Sequence, residues 1–185
     1  MAAAVLVAAF FMPANARAYV DSPDTVAIQG ILQEHHSPLP WWTVAAFKAS
    51  HSDFDVAGYL AVMEAESSMG RTGGSARYCN PGNIKFCGWR APDDPKVWLR
   101  WQCGSWYCKG QGYYGRYPTM YWGQRAAIRL IYDAGYNRQL AAHDWDGFSK
   151  RYYGTNVKGR SSYIADLRAA HNRIVQEARA YGVAW

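Results

Sequence analysis

The sequence predicts a mainly α member of the α+β class, in which helical segments enclose a small irregular lobe with short strands and disulfides. Apolar residues recur at helical spacing before residue 70 and after residue 121. Between Arg71 and Pro118 this periodicity stops, and Gly, Pro, Cys, Trp and Tyr predominate. The length of 185 residues suits one domain.

Three helices are predicted before the irregular lobe. The first begins with a Ser-Pro-Asp sequence at Ser22, where serine caps the helix and proline suits its first turn. A second, short helix is expected over Trp41–Ala49. Asp53 or Asp55 caps the third helix, which ends near Gly70.

Helical spacing returns after the irregular lobe. One apolar stripe begins near Tyr121 and stops at Gly135. A shorter helix is expected from Asp144 to Tyr152. The last helix starts at residue 161 or 162 and stops near Gly182.

Aromatic residues make up 16% of the chain, and nine of them are tryptophans. This content excludes a disordered protein, which has few aromatic residues. Aromatic rings build cores and also stack on sugar rings, so both interpretations stay open. The formal net charge of +6 favours an anionic partner, whereas the lack of a long Lys/Arg run argues against nucleic acid.

Residues 1–18 have the features of a secretory leader. The apolar stretch Ala2–Met12 is too short to span a bilayer, and Ala16-Arg17-Ala18 is an A-x-A cleavage pattern. No basic residue precedes the apolar stretch, which departs from the usual pattern. We predict a signal peptide over 1–18 and a mature domain over 19–185 without a membrane anchor.

Four cysteines lie close together in the irregular lobe. An even number in an exported chain indicates two disulfides, with three pairings open. The spacing lacks the C-x-x-C pairs of zinc sites, and no H-E-x-x-H motif occurs, so no metal or cofactor is predicted. The candidate cysteines are Cys79, Cys87, Cys103 and Cys108.

Glu66 is the candidate catalytic acid. It ends the third predicted helix, immediately before the irregular lobe. A carboxylic acid in a partly apolar cleft can act as a general acid, because burial disfavours the charged form. Glu64 projects from another face of the same helix. The alternative for both residues is a solvated position on the helix surface.

Four segments resemble motifs of the bacterial β-N-acetylglucosaminidase family (mannosyl-glycoprotein endo-β-N-acetylglucosaminidase-like). Residues 66–70, Glu-Ser-Ser-Met-Gly, resemble its E-S-x-x-G signature, and residues 80–85 resemble its Asn-rich turn. Residues 153–156 resemble its Y-A-T-D segment, and residues 162–164 its following tyrosine. The resemblance implies a lysozyme-like, two-lobed domain that cleaves a β-1,4 bond of the GlcNAc/MurNAc glycan in peptidoglycan.

The resemblance also implies a role for each matched residue. Glu66 would protonate the glycosidic oxygen, and Tyr153 would lie beside the anomeric carbon. Asn80 and Asn83 would form the floor of the cleft, and Tyr163 would contact substrate. A tight turn at the two asparagines and core packing of Tyr153 remain alternatives.

The chain departs from the family pattern in its acidic residues. Asn156 stands where the family has Asp, and Asp93 and Asp94 are the only acids of the irregular lobe. Either of the two is a candidate second carboxylate, and a surface turn is the alternative. Trp89 and Trp122 are candidate sugar contacts, with core packing as the alternative.

These features predict a secreted or wall-associated, monomeric peptidoglycan hydrolase, or a virion-associated one in a phage. A lytic transglycosylase on the same fold is the first alternative, because it needs a single acid. A non-catalytic glycan-binding or phage-tail module is the second.

Overall fold

The computed structural model describes residues 22–86, 98–102, 113–154 and 158–185; for Gly74 and the strand residues it describes the backbone alone. Within these ranges the chain forms eight helices and three strands. The helices are α1 (Pro23–Glu34), α2 (Trp41–Ser50), α3 (Val56–Ser67), α4 (Gly73–Tyr78), α5 (Met120–Asp133), α6 (Tyr136–Ala141), α7 (Trp145–Tyr152) and α8 (Arg160–Ala180). The strands are β1 (Lys85–Phe86), β2 (Trp98–Gln102) and β3 (Tyr113–Arg116).

The predicted α+β class with a β lobe is wrong, because the body of the protein is helical. Helices hold 69% of the residues with described side chains, and none of these residues lies in a strand. The strands pair antiparallel in the order β1-β3-β2, with Lys85 opposite Tyr114, and β1 has only two residues. The described core lies on the helices and their flanking loops. Gly, Pro and aromatic residues interrupt the helical pattern of the middle segment, and such an interruption does not by itself distinguish a β lobe from loops that join helices.

Helix α3 is the central element of the core. Eight consecutive residues, Val56–Met63, are buried, as expected for a helix that is apolar on all sides. The cap is Asp55, whose Oδ1 accepts a 2.9 Å hydrogen bond from Gly58 N, so Asp53 is not the cap. Helix α8 packs along α3 and carries buried Leu167 and Ile174.

Several helix ends confirm local predictions. Ser22 caps α1 by accepting a hydrogen bond from Thr25 N at 3.2 Å, and Asp144 caps α7 through Gly147 N at 3.0 Å. Helix α8 begins at Arg160, slightly before the predicted start. The short helices α4 and α6 were not predicted, because six residues are too few to show a helical period.

The predicted leader lies outside the described residues. Among the residues that are described, no helix is long and apolar enough to cross a membrane.

Candidate functional site

The turn after α3 fixes the position of Glu66. Ser68, Met69 and Gly70 all have left-handed backbones, with φ values of 48°, 57° and 88°. Ser67 Oγ accepts a hydrogen bond from Gly70 N at 2.9 Å and lies 2.8 Å from Pro81 O, to which its hydroxyl can donate. The serine and glycine of the E-S-x-x-G segment therefore build the turn, which leaves the glutamate available for chemistry.

Replacing Ser67 with alanine should destabilise this turn. In Ser67→Ala, the buried Gly70 N–H and Pro81 C=O lose their partner, which costs about 1–3 kcal/mol. Urea unfolding measures the change in the free energy of unfolding. Ser67 Oγ also lies 3.0 Å from Met63 O, the carbonyl oxygen four residues earlier. The matched control is therefore Ser50→Ala, because Ser50 Oγ lies 3.0 Å from Ala46 O in the same way but is exposed. Equal losses in the two variants would contradict the role of Ser67.

Asn80 and Asn83 lie in one loop but have different partners. Asn80 is 1% exposed; its Oδ1 accepts from Ile84 N at 2.9 Å, and its Nδ2 donates to Ile84 O at 3.1 Å. These contacts favour the turn role that the sequence left open for Asn80. Asn83, with φ 47°, directs its amide at Glu66 instead.

Two residues from distant parts of the chain hold the Glu66 carboxylate. Asn83 Nδ2 donates to Glu66 Oε2 at 3.1 Å and to the Glu66 backbone carbonyl at 2.7 Å. The Tyr163 hydroxyl, from the first turn of α8, donates to Glu66 Oε1 at 2.7 Å. The structure thus brings together three of the predicted site residues.

Two tyrosines near Glu66 have raised pKa values: Tyr163 is 8% exposed, and Tyr152 is partly buried against the core. Burial raises the pKa of Tyr163 well above its usual value, and the negative charge of Glu66 raises it further. The pKa of Tyr152 is raised for the same two reasons, and its hydroxyl donates to Gly82 O at 2.6 Å. Both phenols are therefore neutral donors across the ordinary pH range.

An alkaline titration should detect these buried phenols. Folding raises the pKa of Tyr163, so the neutral phenol stabilises the folded state fully below the ordinary tyrosine pKa of about 10. This stabilisation is lost as pH rises toward the folded-state pKa. The titration is followed by tyrosinate absorbance. Near pH 10, the folded Tyr163→Phe variant should ionise as many tyrosines as the wild-type protein, because Tyr163 does not ionise there. In denaturant the variant should ionise one tyrosine fewer. A missing tyrosine in the folded titration as well would contradict the burial.

Tyr153 forms the exposed edge of this cluster. Its ring stacks on that of Tyr163, with centroids 4.7 Å apart and planes at 17°, and the residue is 37% exposed. Tyr153 is therefore not a core residue. Its ring contacts Tyr163, which in turn bonds the Glu66 carboxylate. The substrate contact of Tyr153 remains a prediction.

Glu64 belongs to a separate ion-pair network. Its Oε1 lies 2.9 Å from Arg173 Nη2, and its Oε2 lies 3.5 Å from His35 Nδ1. His35 Nε2 lies 3.1 Å from Glu177 as well. This network ties α1, α3 and α8 together, so Glu64 has a structural partner set and does not face the Glu66 site.

Several predicted site residues lie elsewhere. Trp122 is on α5, where its ring packs at 4.8 Å from that of Tyr121 and under Arg125 at 5.5 Å. Cys79 ends α4 as a free thiol. Among the described residues, no group of three or more His, Cys, Asp or Glu could hold a metal ion. The remaining candidates, outside the described residues, are Trp89, Asp93, Asp94, Cys87, Cys103 and Cys108.

Sequence reasoning missed two residues that support the site. Ser67 belongs to the E-S-x-x-G segment but received no role in the sequence analysis, although it is the last residue of α3 and a serine hydroxyl can bond the backbone of a turn. Tyr152 adjoins the matched Tyr153, and no local pattern distinguishes the partly buried Tyr152 from the exposed Tyr153.

The comparisons with known proteins give no relative for this chain. No family model, no curated protein and no solved structure matches it.

Proposed function

We propose that the protein is a glycoside hydrolase that cuts β-1,4 bonds of the peptidoglycan glycan, with Glu66 as general acid. The observation that carries this proposal is the pair of donors on the Glu66 carboxylate, Tyr163 at 2.7 Å and Asn83 at 3.1 Å. A carboxyl group that is held in one orientation beside an exposed aromatic ring is suited to proton transfer to a bound sugar. The net charge of +6 suits an anionic wall.

The two donors give the two oxygens of Glu66 different roles. Asn83 Nδ2 lies against two oxygen acceptors, Glu66 Oε2 and the Glu66 carbonyl, which fixes the amide orientation. An amide N–H cannot accept a hydrogen bond from a protonated carboxyl oxygen, whereas the Tyr163 hydroxyl can turn from donor to acceptor. The catalytic proton is therefore carried on Oε1, while Oε2 stays an acceptor.

The same donors stabilise the product of proton transfer. When Glu66 gives its proton to the glycosidic oxygen, the carboxylate that remains accepts hydrogen bonds from both Tyr163 and Asn83. Hydrogen bonds to an ionised group are stronger than neutral ones. Tyr163 thus acts as a positioning residue, and Tyr153 offers the ring face on which a sugar can stack.

Product analysis distinguishes hydrolysis from transglycosylation. Purified peptidoglycan is digested with the wild-type protein, and the soluble fragments are analysed by mass spectrometry. Reducing sugar ends are the expected result. Anhydro-muramoyl ends would instead identify the lytic transglycosylase reaction, which also uses a single acid, and would contradict hydrolysis.

The same digestion tests a non-catalytic glycan-binding module. Such a module would sediment with the wall and release no soluble fragments, at any enzyme concentration or digestion time. That result would overturn the catalytic proposal and leave the binding role.

A further inference from the structure

A cavity lies between α2 and α5, and Glu66 is not among the residues that line it. It has a volume of about 240 Å³. None of the residues that hold Glu66 lines it. The lining residues that matter here are Trp42, Ala46, Ser50, Tyr121, Arg125 and Arg129.

The cavity is preformed, because a buried contact joins its two walls. Thr43 Oγ1 on α2 lies 2.6 Å from Gln124 Oε1 on α5, and both residues are buried. Trp42 and Tyr121 stack across the same helix pair, with centroids 5.0 Å apart. A ligand would therefore not need to order these walls on binding.

The chemistry of the lining combines aromatic rings with two cations. Arg125 and Arg129 are four residues apart, so they lie on one face of α5. Arg129 Nε pairs with Asp133 at 2.8 Å, and Asp133 itself is not part of the lining. Among the described residues, no carboxylate lines the cavity. The lining therefore favours a small ligand that has an apolar face and a negative charge.

We propose that the α2–α5 cavity binds a single acidic sugar, a pyranose that carries a carboxylate, as a wall-anchoring subsite separate from Glu66. The volume is below the range of drug-sized sites, which suits one sugar ring rather than an oligosaccharide. The choice of a wall sugar rests on the proposed function, since N-acetylmuramic acid of that glycan carries a free lactyl carboxylate wherever its stem peptide has been removed. The guanidinium groups would bind its carboxylate, and the rings would contact its C–H face.

The test compares two monosaccharides that differ by one acidic group. N-acetylmuramic acid and N-acetylglucosamine are titrated separately into the wild-type protein, and the amide NMR signals of residues 43, 50 and 129 are followed. The acidic sugar should shift these signals and bind about tenfold more tightly, the effect of roughly one charge-assisted contact. Equal affinities, or no shift of these amides with either sugar, would overturn the proposal.

Variants with matched controls locate the binding. Arg129→Gln should remove the preference for the acidic sugar, whereas Arg168→Gln, an exposed charge change on α8, should keep it. Ala46→Phe should fill the cavity and abolish binding, whereas Ala49→Phe, on the exposed side of α2, should not. Binding that survives Ala46→Phe with a folded protein would place the ligand elsewhere.

Turnover separates this inference from the proposed function. The cavity variants should cleave a short soluble glycan at the wild-type rate but sediment less with insoluble wall glycan from which the stem peptides have been removed. Loss of soluble turnover in Ala46→Phe would contradict a separate subsite. Failure of the protein to cleave any glycan would refute the proposed function, while the monosaccharide titration would still decide the binding inference.

Discussion

Glu66→Gln should lower glycan turnover by about 10²–10⁴-fold, the usual contribution of a positioned general acid. Glutamine has nearly the same shape, so the fold should persist. Its carbonyl oxygen can accept from Asn83 while its NH₂ group donates to the Tyr163 hydroxyl, which preserves both contacts. Turnover is measured as release of soluble fragments from purified wall, and thermal unfolding checks the fold. Wild-type turnover in a folded Glu66→Gln protein would exclude Glu66 as the acid.

Glu64→Gln is the matched control, since it makes the same chemical change two residues away. Glu64 pairs with Arg173 and His35, so this variant should lose stability through the ion-pair network and keep its turnover. The pair is partly exposed, and the loss should therefore be small, about 1 kcal/mol or less. A loss of turnover as large as that of Glu66→Gln would mean that helix integrity, rather than the carboxyl group, accounts for both effects.

The local part of this site was predictable from the sequence. A capping acid, a run of apolar residues and a glycine stop define α3 within about a dozen residues, so the position of Glu66 at its end follows from short-range rules. The opposite faces of Glu64 and Glu66 follow from helical geometry alone. Both predictions are confirmed by the separate partner sets of the two residues.

The partners of these acids were not predictable from local patterns. Tyr163 is 97 residues from Glu66, and only the order of motifs suggested that the two share a site. The ion pair of Glu64 with Arg173 depends on how α8 packs against α3, which no local pattern encodes. The prediction of the fold class was wrong for a related reason. The lack of a helical period in the middle segment shows where helices stop but not whether strands build a core.

A glycine on α5 gives the largest expected effect on stability. A Cβ atom at Gly123 would lie 1.7 Å from the carbonyl oxygen of Cys79 and 3.1 Å from Pro81 Cδ. The clash is with backbone, so no side-chain rotation can relieve it. Gly123→Ala should therefore destabilise the protein by about 3 kcal/mol, the upper part of the range for overpacking.

The direction of this change separates packing from helix propensity. In an uncrowded helix, alanine in place of glycine stabilises by roughly 0.5–1 kcal/mol, so a gain in stability would contradict the close approach of α5 to the loop. Gly73→Ala is the control. Gly73 has a φ of 63° and no atom near the added Cβ, so this variant should lose only about 1 kcal/mol of stability through backbone strain.

Gly123→Ala should also reduce turnover, because Cys79 and Pro81 belong to the loop that presents Asn83 to Glu66. Gly73→Ala should not, since its effect stays at the start of α4. Urea unfolding combined with turnover measured below the transition tests both expectations, and the loop's role in positioning Asn83 requires that only Gly123→Ala loses activity while still folded.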